Sequence, residues 1–461
     1  MKTDRYVKEE DFDKILKHIL SGPKFPGKEF VTGKYTYADV YSMAAGICGA
    51  LPENSSNVCL FSEDKGITAA ALLASAARGF SLVLPYACTV QAVEDISGYM
   101  DLQAAISDKP VELLPGISII VPSCSKNRNP GLKPKKGPDD ICFYFFTGGS
   151  TGRPKIWAKT PRNLFAEALF QIKEHKIGTD DCILATVPPY HIYGILYSVL
   201  VPFFTGARVV EKICTYPEEI RQAFSDYSPS IFVSVPVHYR VLNSSLDGNE
   251  TGTSSLRLAF SSAGRLDEAD GEYFYKTTGA PVVEIYGSTE TGGIAARTRA
   301  KGETWLTPFD VIDWKIENER LCVRSGFISP GVETDDKGFF LTGDRVESGD
   351  GKHFVLLGRA DGIVKVGGKR VDLEEAQEKL KQIEGVQDLV LIAVPGANGR
   401  ENDICALVQA EQAYMDKDRF RACAVKLVSP YAMPRRIEIV DKIPVSDTGK
   451  YDRNALESLF N

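Results

Sequence analysis

Short apolar runs alternate with amphipathic segments through the first part of the chain. Residues 58–61 and 81–84 are apolar runs typical of buried strands, and the alanine- and leucine-rich segment 67–77 between them has helical spacing. A strand, a helix and a strand at this spacing predict a parallel βαβ unit. A second unit of this kind is expected at residues 104–121.

The same pattern continues and then changes twice. Further buried strands are expected at 141–146, 183–187, 231–235, 256–261 and 282–285. Short apolar runs alternate with turns at 305–340, which indicates a β-rich subdomain. After a charged junction at 359–362 the strand and helix patterns restart. We therefore predict an α/β fold class, with a large N-terminal domain at 1–358 built of βαβ-type subdomains and a β-rich subdomain, and a small α+β C-terminal domain at 363–461.

Composition narrows the class of protein. The 461 residues carry a formal net charge of −7, which argues against nucleic acid as the main partner. The charged start, MKTDRYVKEEDFDKIL, is unlike a secretory signal, and the most apolar run, residues 195–204, is too short to span a bilayer. The ten cysteines form no C-x-x-C pair, which favours thiols in a reducing compartment over a metal–thiolate site. We therefore expect a cytoplasmic protein without a membrane span.

The apolar run at 141–146 leads directly into a loop suited to phosphate. Six residues hold three glycines and three hydroxyls, and Lys155 follows shortly: Thr147, Gly148, Gly149, Ser150, Thr151 and Gly152. Glycines let backbone N–H groups approach an anion closely. The P-loop pattern fails, because two residues precede Lys155 and Ile156 replaces its Ser or Thr. Pro154 also disfavours a helix directly after the loop. A flexible surface turn is the alternative.

Two later strand ends carry candidate chemistry. The segment Tyr286-Gly287-Ser288-Thr289-Glu290 places one carboxylate among hydroxyls and glycine, which suits a hard cation such as Mg²⁺. The aromatic, proline-stiffened segment 188–194 contains His191 and is typical of a pocket at a strand end. Taken singly, Glu290 could be a solvated glutamate and His191 a packed aromatic neighbour.

Taken together and in this order, the motifs resemble those of adenylate-forming enzymes. This superfamily includes acyl- and aryl-CoA synthetases, peptide-synthetase adenylation domains and luciferases; Ile156 departs from the glycine that ends its phosphate loop. The resemblance implies that residues 147–152 and Lys155 bind the phosphates of ATP. It further assigns functions in the nucleotide site to residues near the end of the large domain: Tyr286 near adenine or the acyl pocket, Thr289 on the α-phosphate, Glu290 on Mg²⁺, and Asp344 and Arg359 on the ribose.

The resemblance also implies an acid pocket and a mobile C-terminal domain. His191 would border the pocket and the entrance for the second substrate. The remaining pocket residues would be Tyr190, Tyr193, Val235, Ser262, Ala263, Gly264 and Ile294. In the C-terminal domain, Lys450 would be the catalytic lysine, Arg370 would sense phosphate or thiol, and Gly368 would lie beside the thiol tunnel. Asp361 would be the hinge within 359–362.

The expected reaction is therefore ATP-dependent activation of a carboxylic acid, followed by transfer to a thiol. The thiol would be CoA or the phosphopantetheine of an acyl carrier protein. Residues 188–200 contain no carboxylate to pair with an α-ammonium group, so an uncharged aryl or acyl acid is favoured over an amino acid. Two other functions stay open: an ATP user that releases ADP, and a degenerate nucleotide-binding regulator.

Overall fold

The computed structural model describes residues 9–124, 132–147, 154–244, 252–366, 369–395, 402–411, 414–446 and 451–460. The chain divides into two compact units. Unit 1 comprises residues 1–313 and 324–333, and unit 2 comprises residues 314–323 and 334–461. The predicted hinge at 359–362 lies within unit 2, and the predicted domain boundaries stay a prediction.

Unit 1 is a layered arrangement of helices and mainly parallel strands. Its helices are α1 Glu9–Ser21, α2 Tyr37–Ala50, α3 Lys65–Arg78, α4 Val90–Ser97, α5 Pro161–His175, α6 Ile192–Ile195, α7 Val201–Thr205, α8 Pro217–Tyr227, α9 Pro236–Asn243 and α10 Glu268–Thr278. A π-helical segment, Leu196–Leu200, joins α6 to α7.

The strands of unit 1 form two sheets. They are β1 Glu29–Val31, β2 Tyr35–Thr36, β3 Asn57–Phe61, β4 Ser81–Leu84, β5 Ala104–Ser107, β6 Ser118–Ile120, β7 Phe143–Thr147, β8 Lys155–Lys159, β9 Cys182–Ala185, β10 Arg208–Val209, β11 Ile231–Ser234, β12 Leu258–Ser261, β13 Val282–Ser288, β14 Gly292–Thr298 and β15 Thr307–Pro308. The six-stranded sheet has the order β6-β5-β3-β4-β7-β8, and the nine-stranded sheet has the order β15-β14-β13-β12-β11-β9-β10-β1-β2.

The order of the larger sheet positions the loops that follow its strands. Strands β9, β11, β12 and β13 are consecutive neighbours and run parallel. Their carboxyl ends therefore meet at one edge, where ligands bind in open α/β sheets. The face that packs against α8, α9 and α10 is apolar, with fully buried residues such as Leu184, Phe232 and Ala259. This core holds the four strands rigid beneath the loops.

Unit 2 contains a β-rich part and an α+β part. Its strands are β16 Asp313–Glu317, β17 Arg320–Arg324, β18 Phe340–Glu347, β19 Val355–Arg359, β20 Ile363–Val366, β21 Lys369–Asp372, β22 Asp388–Pro395, β23 Asn402–Gln409 and β24 Arg436–Val440. Its helices are α11 Leu373–Leu380, α12 Lys417–Ala424 and α13 Arg453–Ser458. Strands β16 to β19 form one sheet, β20 pairs with β21, and β22, β23 and β24 form a third sheet.

Most expected elements are present, and two differences have clear causes. The first βαβ unit forms as predicted, because β3 and β4 are parallel and flank α3. At 104–121 the prediction was wrong: β5 and β6 pair directly in parallel, and the ten residues between them form no helix. That segment, DKPVELLPGI, has two prolines, which interrupt a helix. Strand β13 extends to Ser288, three residues beyond its apolar run.

Across the described parts of the chain, every helix is too short or too polar to cross a bilayer.

Candidate active site

The predicted phosphate loop connects the two strands of a hairpin. Strands β7 and β8 are antiparallel, and Thr147 pairs with Lys155 where the two strands separate. The indole Nε1 of Trp157 donates to the Thr147 hydroxyl at 3.2 Å. A strand, not a helix, follows the loop, in agreement with the effect expected of Pro154. The residues Gly148, Gly149, Ser150, Thr151 and Gly152 lie outside the described residues, so their contacts stay predictions.

The segment from Tyr286 to Gly293 contains the tight connection between β13 and β14. It is named the metal loop here, after the Mg²⁺ ligand predicted in it. The Ser288 hydroxyl lies 2.9 Å from the Thr291 hydroxyl, and the Thr291 hydroxyl accepts from the Ser288 N–H at 3.1 Å. A side chain at Gly287 would overlap with the carbonyl oxygen of Gly292. These contacts hold the turn closed and leave Thr289 and Glu290 half-buried at its tip.

The predicted pocket histidine begins a helix at the end of β9. His191 is the N-cap of α6, and its ring lies 4.6 Å from that of Tyr190. Two residues later the Tyr193 hydroxyl donates to the Ser234 carbonyl at 3.3 Å. Gly194 is required here, because a side chain would overlap with the carbonyl oxygen of Pro188. The segment therefore folds back on itself and places these aromatic residues beside the end of β11.

The run of small residues after β12 has an unusual backbone. Ala263 has φ of +68°, a left-handed conformation that costs energy for a residue with a side chain. The Ser262 hydroxyl donates to the Ile285 carbonyl at 2.9 Å, which ties this turn to β13 just before Tyr286. Gly264 is exposed, and Val235 and Ile294 are buried at the ends of their strands. These predicted pocket residues therefore lie next to β13, the strand that leads into the metal loop.

The two predicted ribose residues are neighbours within unit 2. Asp344 on β18 pairs with Arg359 on β19, and their charged groups lie 3.5 Å apart. A Cβ at Gly343 would lie 2.6 Å from the guanidinium carbon of Arg359. Because Gly343 has no side chain, the Arg359 guanidinium can lie against the backbone at this position. The Asp344 and Arg359 side chains are close enough to bind the same polar ligand.

For four predicted residues of the C-terminal region, the surroundings of the side chain or of the whole residue are not described. Gly368 and Lys450 lie outside the described residues. Only the backbone is described for Asp361, in a 3₁₀ turn at Ala360–Gly362, and for Arg370, in β21. Their functions stay predictions.

A buried lysine outside the predicted motifs forms a hydrogen bond between the strand after the phosphate loop and the metal loop. Lys159, the last residue of β8, is fully buried. Its Nζ donates to the Phe327 carbonyl at 2.6 Å and to the Glu290 carbonyl at 3.2 Å. Burial lowers the pKa of Lys159 to about 8, although the carboxylates of Glu167 and Glu290 oppose this shift. The contact brings the phosphate hairpin against the metal loop, 131 residues later.

A buried glutamate holds the other end of the metal loop. Glu167 on α5 accepts a hydrogen bond from the Gly293 N–H at 2.8 Å. Burial raises the pKa of its carboxyl, and the charge of Lys159 opposes that shift. The sequence did contain a signal for this residue: Glu167 shares a helical face with the buried Leu164 and Phe170. A charged residue on an apolar helix face requires a partner.

Three polar side chains form a second hydrogen-bonded cluster at the ends of β9 and β11. The imidazole Nδ1 of His238 lies 2.8 Å from the Thr186 hydroxyl, which lies 2.7 Å from the Ser234 hydroxyl. Burial lowers the pKa of His238 to about 4, so the ring is neutral. Nothing in the spacing of these three residues marked them in the sequence, because each comes from a different element.

Comparison with known proteins identifies the family. Residues 22–326 match the family described as AMP-binding enzyme. The chain belongs to this family. The family resemblance predicted from the motifs is therefore confirmed.

Individual relatives agree with that assignment. A mitochondrial malonate–CoA ligase of Homo sapiens is 24% identical in an alignment of 378 positions that covers 69% of this chain and 66% of the relative. A sulfoacetate–CoA ligase of Cupriavidus necator is 24% identical in an alignment of 386 positions that covers 77% of this chain and 75% of the relative. The chain thus spans about two thirds to three quarters of these relatives.

Solved structures show the same fold. ATP-bound MatB from Rhodopseudomonas palustris has a TM-score of 0.81 at 19% identity, covering 97% of this chain and 98% of that one. A benzoate CoA ligase from Burkholderia xenovorans LB400 has a TM-score of 0.75 at 18% identity, covering 96% and 99%. The predicted α/β fold class is confirmed.

Proposed function

We propose that this chain activates an uncharged aryl or acyl acid with ATP, releases pyrophosphate, and transfers the acyl group to CoA. The reaction class is that of its AMP-binding family and CoA-ligase relatives. The observation that carries the proposal is the contact of Lys159 with the Glu290 carbonyl. It links strand β8, which follows the predicted phosphate loop, to the Thr289–Glu290 turn, and this link supports the proposal of one shared nucleotide site.

The residues of the site would act mainly by charge stabilisation. Attack of the carboxylate on the α-phosphorus builds negative charge on the α-phosphate and on the departing pyrophosphate. Lys155 and the N–H groups of the phosphate loop would stabilise the β- and γ-phosphates, and Thr289 would donate to the α-phosphate. Lys450 would hold the acid carboxylate in line for attack.

The site around Glu290 fits Mg²⁺. Mg²⁺ takes one or two protein carboxylates and completes its shell with water and phosphate oxygens. The described residues contain no cluster of three or more His, Cys, Asp or Glu side chains, so they offer no all-protein cage for another metal. When bound, the ion would neutralise phosphate charge; Glu290 would hold it, and the Lys159 and Ser329 donors fix the Glu290 backbone.

The acid is proposed from the pocket residues. Tyr190, Val235 and Ile294 are buried, and none of the predicted pocket residues is a lysine or arginine that could pair with a second carboxylate. An aromatic acid is therefore favoured slightly over a medium-chain fatty acid, although two relatives are named for malonate and sulfoacetate. CoA is the proposed acceptor, with a carrier-protein phosphopantetheine as the alternative, and the proposed location is the cytoplasm.

ATP–pyrophosphate exchange over a panel of acids tests this function. Exchange with benzoate, hydroxybenzoates or hexanoate would support it, and exchange only with malonate or oxalate would refute the uncharged acid. Product analysis separates the two rival functions: release of ADP would indicate a different ATP user, and binding of ATP without turnover would indicate a regulator. Addition of CoA or of a phosphopantetheinylated carrier protein then identifies the acceptor.

Glu290→Gln is expected to raise the Mg²⁺ concentration that half-saturates exchange by roughly 10-fold. Glutamine keeps the shape of glutamate but lacks the charge that a hard cation prefers. A Mg²⁺ titration at saturating ATP measures the change. Glu174→Gln, on the exposed side of α5, is the matched control and should behave as wild type. An unchanged titration for Glu290→Gln would remove this residue from the metal site.

Asp361→Pro is expected to preserve pyrophosphate exchange but to slow thioester formation by about 10-fold or more. The family resemblance implies that the C-terminal domain rotates between the two reactions, and hinge residues absorb the required φ and ψ changes. Proline fixes φ near −65°. Single-turnover assays separate the two steps, with Asp361→Ala as a control that leaves φ free. Equal loss in both steps would indicate damage to the fold, and no loss would place the hinge elsewhere.

A further inference from the structure

The metal loop is held at two points by buried charged side chains from the phosphate-hairpin side of unit 1. At the first point, the Glu290 carbonyl accepts from the Lys159 ammonium at 3.2 Å and from the Ser329 N–H at 2.8 Å. Two donors on this oxygen hold the Glu290 backbone in place, and with it the position from which the Glu290 side chain extends. Lys159 is fully buried, so this bond is shielded from competing water.

At the second point, the loop end is fitted to Glu167. The Gly293 N–H donates to Glu167 Oε1 at 2.8 Å. A Cβ at Gly292, whose φ is +67°, would lie 2.7 Å from Glu167 Oε2, and a Cβ at Gly293 would lie 3.2 Å from Oε1. The pair of glycines therefore lets the carboxylate lie directly against the backbone. The position of Glu167 therefore explains why glycine occupies both positions 292 and 293.

The two charged groups also interact electrostatically. Glu167 and Glu290 favour the ammonium form of Lys159, and Lys159 favours the carboxylate form of Glu167. Burying an isolated charge is costly, so the opposite charges of Lys159 and Glu167 lower the cost of burying each other. Lys159 holds the loop at the residue predicted to bind the metal, and Glu167 holds it at the start of β14.

We infer that Lys159 and Glu167 are positioning residues for metal binding, which set the direction of the Glu290 carboxylate without touching the substrates. The inference rests on the proposed function, because it takes Glu290 as the Mg²⁺ ligand. Partners that orient a metal ligand typically change metal affinity or activity by roughly 10- to 100-fold when removed. A residue that only supports the fold would not change Mg²⁺ dependence selectively.

Lys159→Met tests the first anchor, because methionine fills similar space but cannot donate. The Mg²⁺ concentration that half-saturates exchange, and the dissociation constant of Mn²⁺ from the ATP-bound protein measured by electron paramagnetic resonance without acid, are both expected to rise roughly 10-fold, with the KM for the acid changed less than about twofold. The matched control is Lys65→Met. Lys65 is also buried, with a pKa that burial lowers to about 8, and it donates to the Val210 carbonyl at 2.6 Å and to the Lys212 carbonyl at 3.1 Å.

The Lys65 ammonium donates to the carbonyls of residues 185, 210 and 212, which lie outside the metal loop, so Lys65→Met should leave the Mg²⁺ titration of the folded protein unchanged. An equal shift in both variants, or no shift in a folded Lys159→Met, would overturn the inference. Failure of the wild-type protein to catalyse ATP–pyrophosphate exchange with any acid of the panel would instead refute the proposed function. The two failures are therefore distinguishable in one set of assays.

Variants at Glu167 keep the inference falsifiable if Lys159→Met does not fold. Glu167→Gln retains an oxygen that can accept from the Gly293 N–H, whereas Glu167→Leu of similar size does not. The half-saturating Mg²⁺ concentration should rise roughly 10-fold for leucine and by less than threefold for glutamine. If both folded variants titrate as wild type, Glu167 does not position the loop and the inference is wrong.

Discussion

Lys450→Ala is expected to reduce ATP–pyrophosphate exchange by about 10²-fold or more while the protein stays folded. The lysine lies in the segment Pro444-Val445-Ser446-Asp447-Thr448-Gly449-Lys450, which resembles the catalytic motif of adenylate-forming enzymes. Its compact ammonium would pair with the incoming carboxylate and with the α-phosphate, and alanine supplies neither charge nor donor.

The measurement is the exchange rate at saturating acid and ATP, with the thermal midpoint as a check on folding. Lys442→Ala is the matched control, because Lys442 is an exposed lysine eight residues earlier in the same stretch. Wild-type exchange in Lys450→Ala, or equal losses in both variants, would contradict the catalytic assignment. Thioester formation from a supplied acyl-adenylate should be less affected, since adenylation is then bypassed.

Arg297→Met is expected to lower the free energy of unfolding by about 3–5 kcal/mol. Arg297 on β14 forms two hydrogen bonds with Glu284 on β13, at 2.6 and 2.8 Å, and both side chains are only 7% exposed. Glu284 also accepts from the Leu266 N–H at 3.2 Å, which ties the turn after Gly264 to the strand before Tyr286. Without Arg297, the buried Glu284 carboxylate would lose the guanidinium charge that compensates its own.

Urea unfolding of the intact protein measures this loss, and two further variants interpret it. Arg221→Met removes the exposed ion pair with Glu218 on α8 and should cost far less stability, because solvent screens exposed charges. The double variant Glu284→Leu/Arg297→Met should recover much of the stability, because apolar residues can replace a buried pair. A loss for Arg297→Met no greater than that for Arg221→Met would contradict the prediction.

Much of the site was predictable because its residues are close in sequence. The segment Thr147–Lys155 contains glycines, hydroxyls and a lysine within one turn, and Tyr286–Glu290 holds its carboxylate and hydroxyls within five residues. A short loop brings such groups together whatever the rest of the chain does. The structure adds that Thr147 pairs with Lys155 and that Asp344 pairs with Arg359.

The supporting residues were not predictable in the same way. Lys159, Glu167 and Arg297 belong to no motif, and their partners lie in other elements, at Glu290, Gly293 and Glu284. A buried charge can be recognised in a sequence as an unexpected polar residue on an apolar face, but its partner cannot. The partner depends on which strands become neighbours.

By itself, the sequence determined the local elements, the α/β class and the residue types of the segments predicted to bind phosphate and metal, because periodicity, glycine, proline and short motifs act over a few residues. Only the tertiary structure decided that β9, β11, β12 and β13 are adjacent, that Ala263 adopts a left-handed backbone, and that Lys159 reaches the metal loop. Strand order and buried contacts depend on segments that are separated in sequence, by 131 residues for Lys159 and Glu290, and burial of a strand's apolar face does not specify its neighbour.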